Sequence, residues 1–376
     1  MNENDIETIE SHWLNGKIIG TVLLTKFLII SFAAQTYQII NDLPLNSFYE
    51  VFANWNRWDA VSYLNIAQNG YVGSGEDRFL IVFFPLYPAL VALFQIVFRD
   101  ALISGFLVSG IASVALGLVF RELVRLDYSE KIAQFSVLFL FIFPTSYFLH
   151  IPYTESLFLT LCISCFLAAR KRSWILVGIL GCFACLTRIN GLILIPALAF
   201  EVLNEYRETK KLNRKWLALL LIPTGFLIYL AINYYVSGNP TMFIVHQREH
   251  WFRYFRLPWE GLWEALKTIV YEKPSAAQMR GFQEILFVSI GLAAIIAGWR
   301  QFRSSYRVWM IGNWLLFVST SFVLSVPRYT LVMFPLFILM GFVAAKNWWF
   351  NIFLTVWSVL FLALFTIQFS RGWWAF

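Results

Sequence analysis

The segment FANWNRWDAVSYLNIAQNGY, Phe52 to Tyr71, follows a long apolar run and sets Arg57 and Asp59 among Trp55, Trp58 and Tyr63. If 55–69 is helical, Asp59 and Tyr63 lie one turn apart on one face, Ile66 and Ala67 extend that face, and Gly70 ends it. A carboxylate held at a water–lipid boundary can take a proton from a substrate, or can do no more than pair with Arg57. A second acid, Glu155, sits in PYTES at the start of an apolar run, where it can act on a substrate or simply face the positive end of a helix dipole. The segment HQREH, His246 to His250, fits the H-x-x-E-H pattern of inverted zinc peptidases. That pattern is short, and no downstream carboxylate stands out as a third ligand. Arg248 within it and Arg253 and Arg256 after it read as interfacial anchors or as headgroup or phosphate contacts.

The elements that carry these residues are membrane helices. Of 376 residues, 59% are hydrophobic and 14% charged, against roughly 45–50% and 25% in soluble domains. The charge of +7 gathers in short segments between apolar runs, as the positive-inside effect requires, and implies no nucleic-acid partner. The acidic start, MNENDIETIESHWLNGK, has neither the basic region nor the small-residue cleavage site of a removable signal peptide. Cys162-x-x-Cys165 and Cys182-x-x-Cys185 have the spacing of a zinc ribbon, but both pairs lie inside apolar runs, where small residues serve helix contacts. Lys26, inside the first run, is expected to snorkel toward the cytoplasm.

Apolar runs span 18–40, 79–98, 101–120, 132–149, 156–170, 174–187, 190–203, 216–236, 285–299, 308–324, 329–345 and 350–370. The basic segments 121–131, 170–172, 207–215 and 300–307 read as cytoplasmic, so counting crossings places 41–78, PYTES, TRIN (187–190), 237–284 and SVPRY (325–329) on the outer side. The count closes if 79–98 is re-entrant, broken at its start by Pro85 and Pro88, which leaves about eleven crossings, several of them shorter than the roughly 20 residues of a typical span; reversing the orientation of the N-terminus is the competing solution. The short cytoplasmic loops leave no room for a nucleotide-binding domain. The chain is thus expected to be one all-α membrane domain over 1–376, with external segments 41–78 and 237–284 lying at the membrane surface.

WDAVSYLNIAQNGY followed by FFPLYP resembles the W-D-x-x-x-Y, G-Y and F-F-P-L-Y-P signature of the GPI mannosyltransferase 2 family and its bacterial relatives, which are GT-C glycosyltransferases. The resemblance continues in order through FPTSYFLHIPYTESLFL (143–159), TRINGLILIP (187–196), GNPTMFIVHQREHW (238–251) and VPRYTLVMFPLF (326–337). It implies a GT-C fold and transfer of mannose from a polyprenyl or dolichyl phosphate to a glycan or glycolipid acceptor, without cofactor or metal. Asp59 occupies the position of the family's candidate general base, and Glu155 would orient the acceptor or share that role. A departing lipid phosphate gains charge that fixed cations stabilise, so Arg328, Arg188, Arg57 and His150 are expected to hold the donor phosphate, and Trp58, Tyr63, Tyr153, Gln247 and Trp251, the last two matching the family's Q-x-x-x-W element, to contact substrate. The expected location is a bacterial plasma membrane, with the site facing outward. A flippase of lipid-linked sugars would share the helices and arginines but has no need of an external acid, and a zinc peptidase would need HQREH.

Overall fold

A buried chain in lipid must satisfy its backbone polar groups within itself, and this apolar sequence does so by helix. The computed structural model describes residues 3–271 and 276–375, and no strand occurs among them. The α-helices are α1 (Glu3–Asn41), α2 (Phe48–Ala53), α3 (Asp59–Asn69), α4 (Leu86–Phe98), α5 (Ala101–Arg125), α6 (Glu130–Ile142), α7 (Glu155–Arg170), α8 (Trp174–Thr187) and α9 (Leu194–Thr209). They continue with α10 (Ile222–Ser237), α11 (Met242–Glu249), α12 (Pro258–Tyr271), α13 (Ala276–Gly298), α14 (Ser304–Val318), α15 (Val326–Tyr329), α16 (Pro335–Lys346) and α17 (Trp348–Ser370).

Among the described residues, six helical stretches are long and apolar enough to cross a membrane, or up to eight if two bent pairs each count as one span. The bent pairs are 76–82 with 86–98, which turns through 113° at the FFPLYP segment, and 326–332 with 335–346, which turns through 81°. The polytopic reading of the sequence stands, but fewer helices reach full spanning length than the apolar runs suggested. Runs 132–149 and 329–345 are apolar throughout yet only partly α-helical: α6 stops at Ile142, and Val326–Val332 forms one tight turn before α16. The 16 residues of α7 extend about 24 Å at 1.5 Å per residue, short of a hydrocarbon core of about 30 Å. In place of long helix, 143–154 and 326–334 form short turns buried in protein. The helix α13 also begins at Ala276, ahead of the apolar run that starts at 285.

The bundle is closed by close contacts of α5 with α7, α6 with α16, and α8 with both α7 and α10. Gly225 on α10 lies so near α8 that a Cβ there would stand 2.0 Å from the Cys182 carbonyl oxygen and 3.1 Å from Cys185 Cβ. The cysteines accordingly lie at helix contacts: Cys165 Sγ donates to the Val177 carbonyl at 3.7 Å, and Cys182 Sγ accepts from Thr224 at 3.3 Å. Lys26 does not run toward a helix end; its Nζ donates to the Phe106 carbonyl at 3.3 Å, where α1 meets α5.

One end of the bundle gathers the basic segments into ion pairs. Arg121 bonds Glu130 at 2.8 Å, Arg170 bonds Asp127 at 2.6 Å, Arg172 bonds Glu208 at 2.7 Å and Arg303 bonds Glu201 at 2.9 Å. The candidate chemistry lies elsewhere, where Asp59, PYTES, TRIN and SVPRY meet.

Candidate active site

Asp59 is the first residue of α3, so its carboxylate sits at the positive end of that helix. The helix does not extend back to Trp55 as the sequence suggested. Trp58 intervenes with φ 54° and ψ −125°, a conformation that costs a non-glycine residue of order 1–3 kcal/mol unless its surroundings hold it. Those surroundings are aromatic: Trp58 meets Trp374 edge-on at 5.0 Å, and the buried Trp55 stacks on Phe369 at 5.5 Å. Arg57 points away from Asp59, donating through Nε and NH2 to the Asn54 carbonyl (2.8 Å) and side chain (2.7 Å). Its own carbonyl accepts from the Tyr153 hydroxyl at 2.9 Å.

The G-Y and F-F-P-L-Y-P elements have a local role. Tyr71 donates to the Phe83 carbonyl at 2.6 Å, and Tyr87 donates to the Gly105 carbonyl at 3.0 Å. The first ties the turn before α4 to the segment after α3 and the second ties α4 to α5, and Tyr63 packs there with its ring 5.1 Å from Phe83, 5.4 Å from Tyr87 and 6.2 Å from Tyr153.

Asp59 pairs with Arg328 rather than with Arg57. Arg328 NH1 lies 2.5 Å from Asp59 Oδ2, and its Nε lies 2.5 Å from Glu155 Oε1. Glu155 also accepts from Arg188 NH1 at 2.6 Å. The side chain of Glu155 is fully buried and that of Arg328 is 3% exposed, whereas Asp59 is 33% exposed, so only the outer acid of this chain faces open space. The Arg328 guanidinium lies against the rings of Phe148 (4.8 Å) and Tyr153 (4.6 Å), which themselves meet edge-on at 4.8 Å.

The loop carrying Arg328 is itself fastened. Ser325 is left-handed at φ 68°, and the N–H groups of Ser325 and Val326 both donate at 2.7 Å to the carboxylate of Glu284. Thr145 donates to the Pro327 carbonyl at 2.9 Å. TRIN is held by Asn190, which donates to Asn313 at 2.7 Å, and by Gly191, where a Cβ would stand 2.6 Å from the backbone nitrogen of Cys185.

These segments enclose a cavity of about 570 Å³. Of the residues singled out in the sequence, Asp59, Tyr63, Arg188, Gln247, Trp251 and Arg328 line it. Glu155 and Tyr153 stand behind Arg328. Arg57, Trp58 and His150 do not line it; His150 is buried against Phe141, ring centroids 5.6 Å apart, and neither ring nitrogen has a hydrogen-bond partner among the described residues. Sequence reading gave Arg253 no firm place and did not single out Tyr329 and Glu284. Arg253 and Tyr329 line the cavity, and Arg253 NH1 donates to the Tyr329 hydroxyl at 2.9 Å. Nothing local in the sequence separates Arg253 from Arg248 and Arg256.

The HQREH histidines serve packing. His250 stacks on Phe79 at 4.1 Å and 16°, and His246 meets the same ring edge-on at 4.9 Å. Among the described residues, no group of three or more His, Cys, Asp or Glu side chains stands at metal-holding distance.

The sequence profile of the dolichyl-phosphate-mannose-protein mannosyltransferases matches residues 84–234. The chain is 27% identical over 155 residues to GPI mannosyltransferase 2 of Schizosaccharomyces pombe, covering 39% of this chain and 32% of that protein. It is 25% identical over 198 residues to the protein of the same name from Cryptococcus neoformans, covering 46% of this chain and 45% of that one. The matches therefore span less than half of the relatives' own length. In structure it is similar to the oligosaccharyltransferase of Archaeoglobus fulgidus, with a TM-score of 0.48 and 10% identity over 94% of this chain and 56% of the other. The chain is thus related to GT-C mannosyltransferases.

Proposed function

We propose that this relative of GT-C mannosyltransferases transfers mannose from a polyprenyl or dolichyl phosphate to a glycan or glycolipid acceptor at the outer face of a bacterial plasma membrane. The observation that carries the reading is the sharing of one cavity by a partly exposed carboxylate, Asp59, and the guanidinium groups of Arg188, Arg253 and Arg328. The names of the matched profile and of the yeast relatives support the sugar, and the former supports the lipid phosphate.

The reaction is a single inverting displacement. An acceptor hydroxyl loses its proton to Asp59 while its oxygen bonds the anomeric carbon, the bond from that carbon to the phosphate oxygen breaks, and the electron pair leaves with the lipid phosphate. Arg328 donates to Oδ2 of Asp59, which leaves Oδ1 to receive the proton. The fixed guanidinium groups of Arg188 and Arg253 stabilise the negative charge that grows on the departing phosphate, and they do so more strongly in this aromatic-walled cavity than in water. Glu155, fully buried behind Arg328 and Arg188, orients the two arginines rather than touching the acceptor.

The test is purified protein in nanodiscs supplied with polyprenyl-phosphate mannose and a candidate glycolipid acceptor. Expected are free polyprenyl phosphate and a mannoside of opposite anomeric configuration, in equal amounts. Movement of the intact donor across a liposome membrane without release of lipid phosphate would instead identify a flippase. EDTA is expected to leave the transfer rate unchanged, because HQREH is engaged in ring packing with Phe79. Loss of activity on chelation and its return with zinc would overturn that assignment.

A further inference from the structure

We propose that Arg253, Arg188 and the Tyr329 hydroxyl form the binding site for the donor's phosphate and that Arg328 is not its ligand, an inference that rests on the lipid-phosphate donor class proposed above. The cavity arginines differ in what they already hold. Arg328 bridges two carboxylates, at 2.5 Å each. Arg188 shares one of them through NH1, and its remaining nitrogens have no hydrogen-bond partner among the described residues. Arg253 donates only to neutral oxygens, the Tyr329 hydroxyl at 2.9 Å and the Leu324 carbonyl at 3.4 Å, and no carboxylate among the described residues makes an ion pair with it.

Tyr329 links the two freer cations. The guanidinium carbons of Arg188 and Arg253 each lie 5.6 Å from its ring centroid, and the ring is stacked on Phe317 at 5.3 Å. Because its hydroxyl accepts from Arg253, its own proton is available, and no acceptor for it occurs among the described residues. All of these groups line the cavity. A wall that offers two guanidinium groups and one O–H suits an anion with several oxygens.

The wall is built to hold its shape. The loop bearing Arg253 is pinned to the chain after α14 by Ser321 N–H donating to the Tyr254 carbonyl at 2.9 Å and Arg256 N–H to the Ser319 carbonyl at 3.3 Å. Beside the cations, Phe255 of that loop and Leu316 and Phe317 at the end of α14 supply apolar lining, fit for the first units of a prenyl chain. A phosphate that took Arg328 instead would pull it from Asp59 and disorder the base. The two demands are met by different arginines.

The experiment compares binding of two probes to purified protein in nanodiscs: a short-chain prenyl monophosphate and the uncharged prenyl alcohol of the same length. The wild type is expected to prefer the phosphate. Arg253→Ala should weaken the monophosphate by on the order of 10–100-fold and leave the alcohol unchanged, while Tyr329→Phe should weaken it by about 10-fold or less. Arg328→Lys should retain monophosphate binding within about 3-fold although its turnover falls. Retained phosphate binding in Arg253→Ala together with its loss in Arg328→Lys would overturn the assignment and leave the donor class standing. If the wild type holds the phosphate no better than the alcohol, the lipid-phosphate donor itself is wrong. Should Arg253→Ala lose both probes, Arg253→Lys decides: recovery of the alcohol with weakened phosphate supports the site, and recovery of both at full strength contradicts the need for a guanidinium.

Discussion

Asp59→Asn is expected to express and fold as the wild type and to lose turnover by about 10²–10⁴-fold, the span of general-base catalysis. The substitution preserves size, and its amide oxygen can still accept from Arg328 NH1, which now bonds Oδ2 at 2.5 Å. What disappears is the capacity to take a proton. Binding of a prenyl monophosphate should be unchanged, because that ligand sits on Arg253, Arg188 and Tyr329. The pairing of these two readouts separates a base from a residue that merely places the substrate, since misplacement alone also slows a reaction. Glu155→Gln supplies the comparison: the residue is fully buried, both of its arginine partners can still donate to the amide oxygen, and the loss should be smaller. If Asp59→Asn transfers mannose at the wild-type rate while Glu155→Gln is inactive, the acids exchange roles. If both transfer normally, neither is the base.

How much of this site was visible beforehand depended on which kind of information each residue carried. Charge counting assigned Asp59, PYTES, TRIN and SVPRY to one side of the membrane, and in the structure Asp59, Arg188 and Arg328 line one cavity with Glu155 of PYTES behind Arg328. Adjacency in sequence was a poorer guide. Arg57 stands two positions from Asp59 yet bonds Asn54, since the Trp58 backbone turns the chain before α3 begins; the partner of Asp59 is Arg328, 269 positions away. His150 likewise precedes PYTES but points into the core. Composition could not separate helix from buried irregular backbone, as at 143–154 and 326–334, where apolar residues form turns that carry the site. Glu284 was missed for a related reason: its two acceptors serve backbone N–H groups that any sequence would have provided.

Arg328 stands where the two acids meet, and its removal is expected to damage more than any other single change. In Arg328→Ala, Asp59 loses its only ion-pair partner among the described residues and the buried Glu155 keeps only Arg188. Breaking a buried pair by deleting one partner costs about 3–5 kcal/mol, and the remaining Arg188 bond puts this case near the lower end. A lowered thermal midpoint should therefore accompany a loss of transfer beyond about 10²-fold. The more informative substitution is Arg328→Lys. It restores the charge, so the midpoint should recover in part, but an ammonium cannot reproduce the planar fork by which Nε serves Glu155 while NH1 serves Asp59. Asp59, 33% exposed, is then the acid left free to drift, and transfer should remain impaired after stability has returned. Full recovery of transfer in the lysine variant would mean that Arg328 supplies only charge, and the oriented Oδ1 on which the proton transfer depends would have to be set by the α3 N-terminus alone.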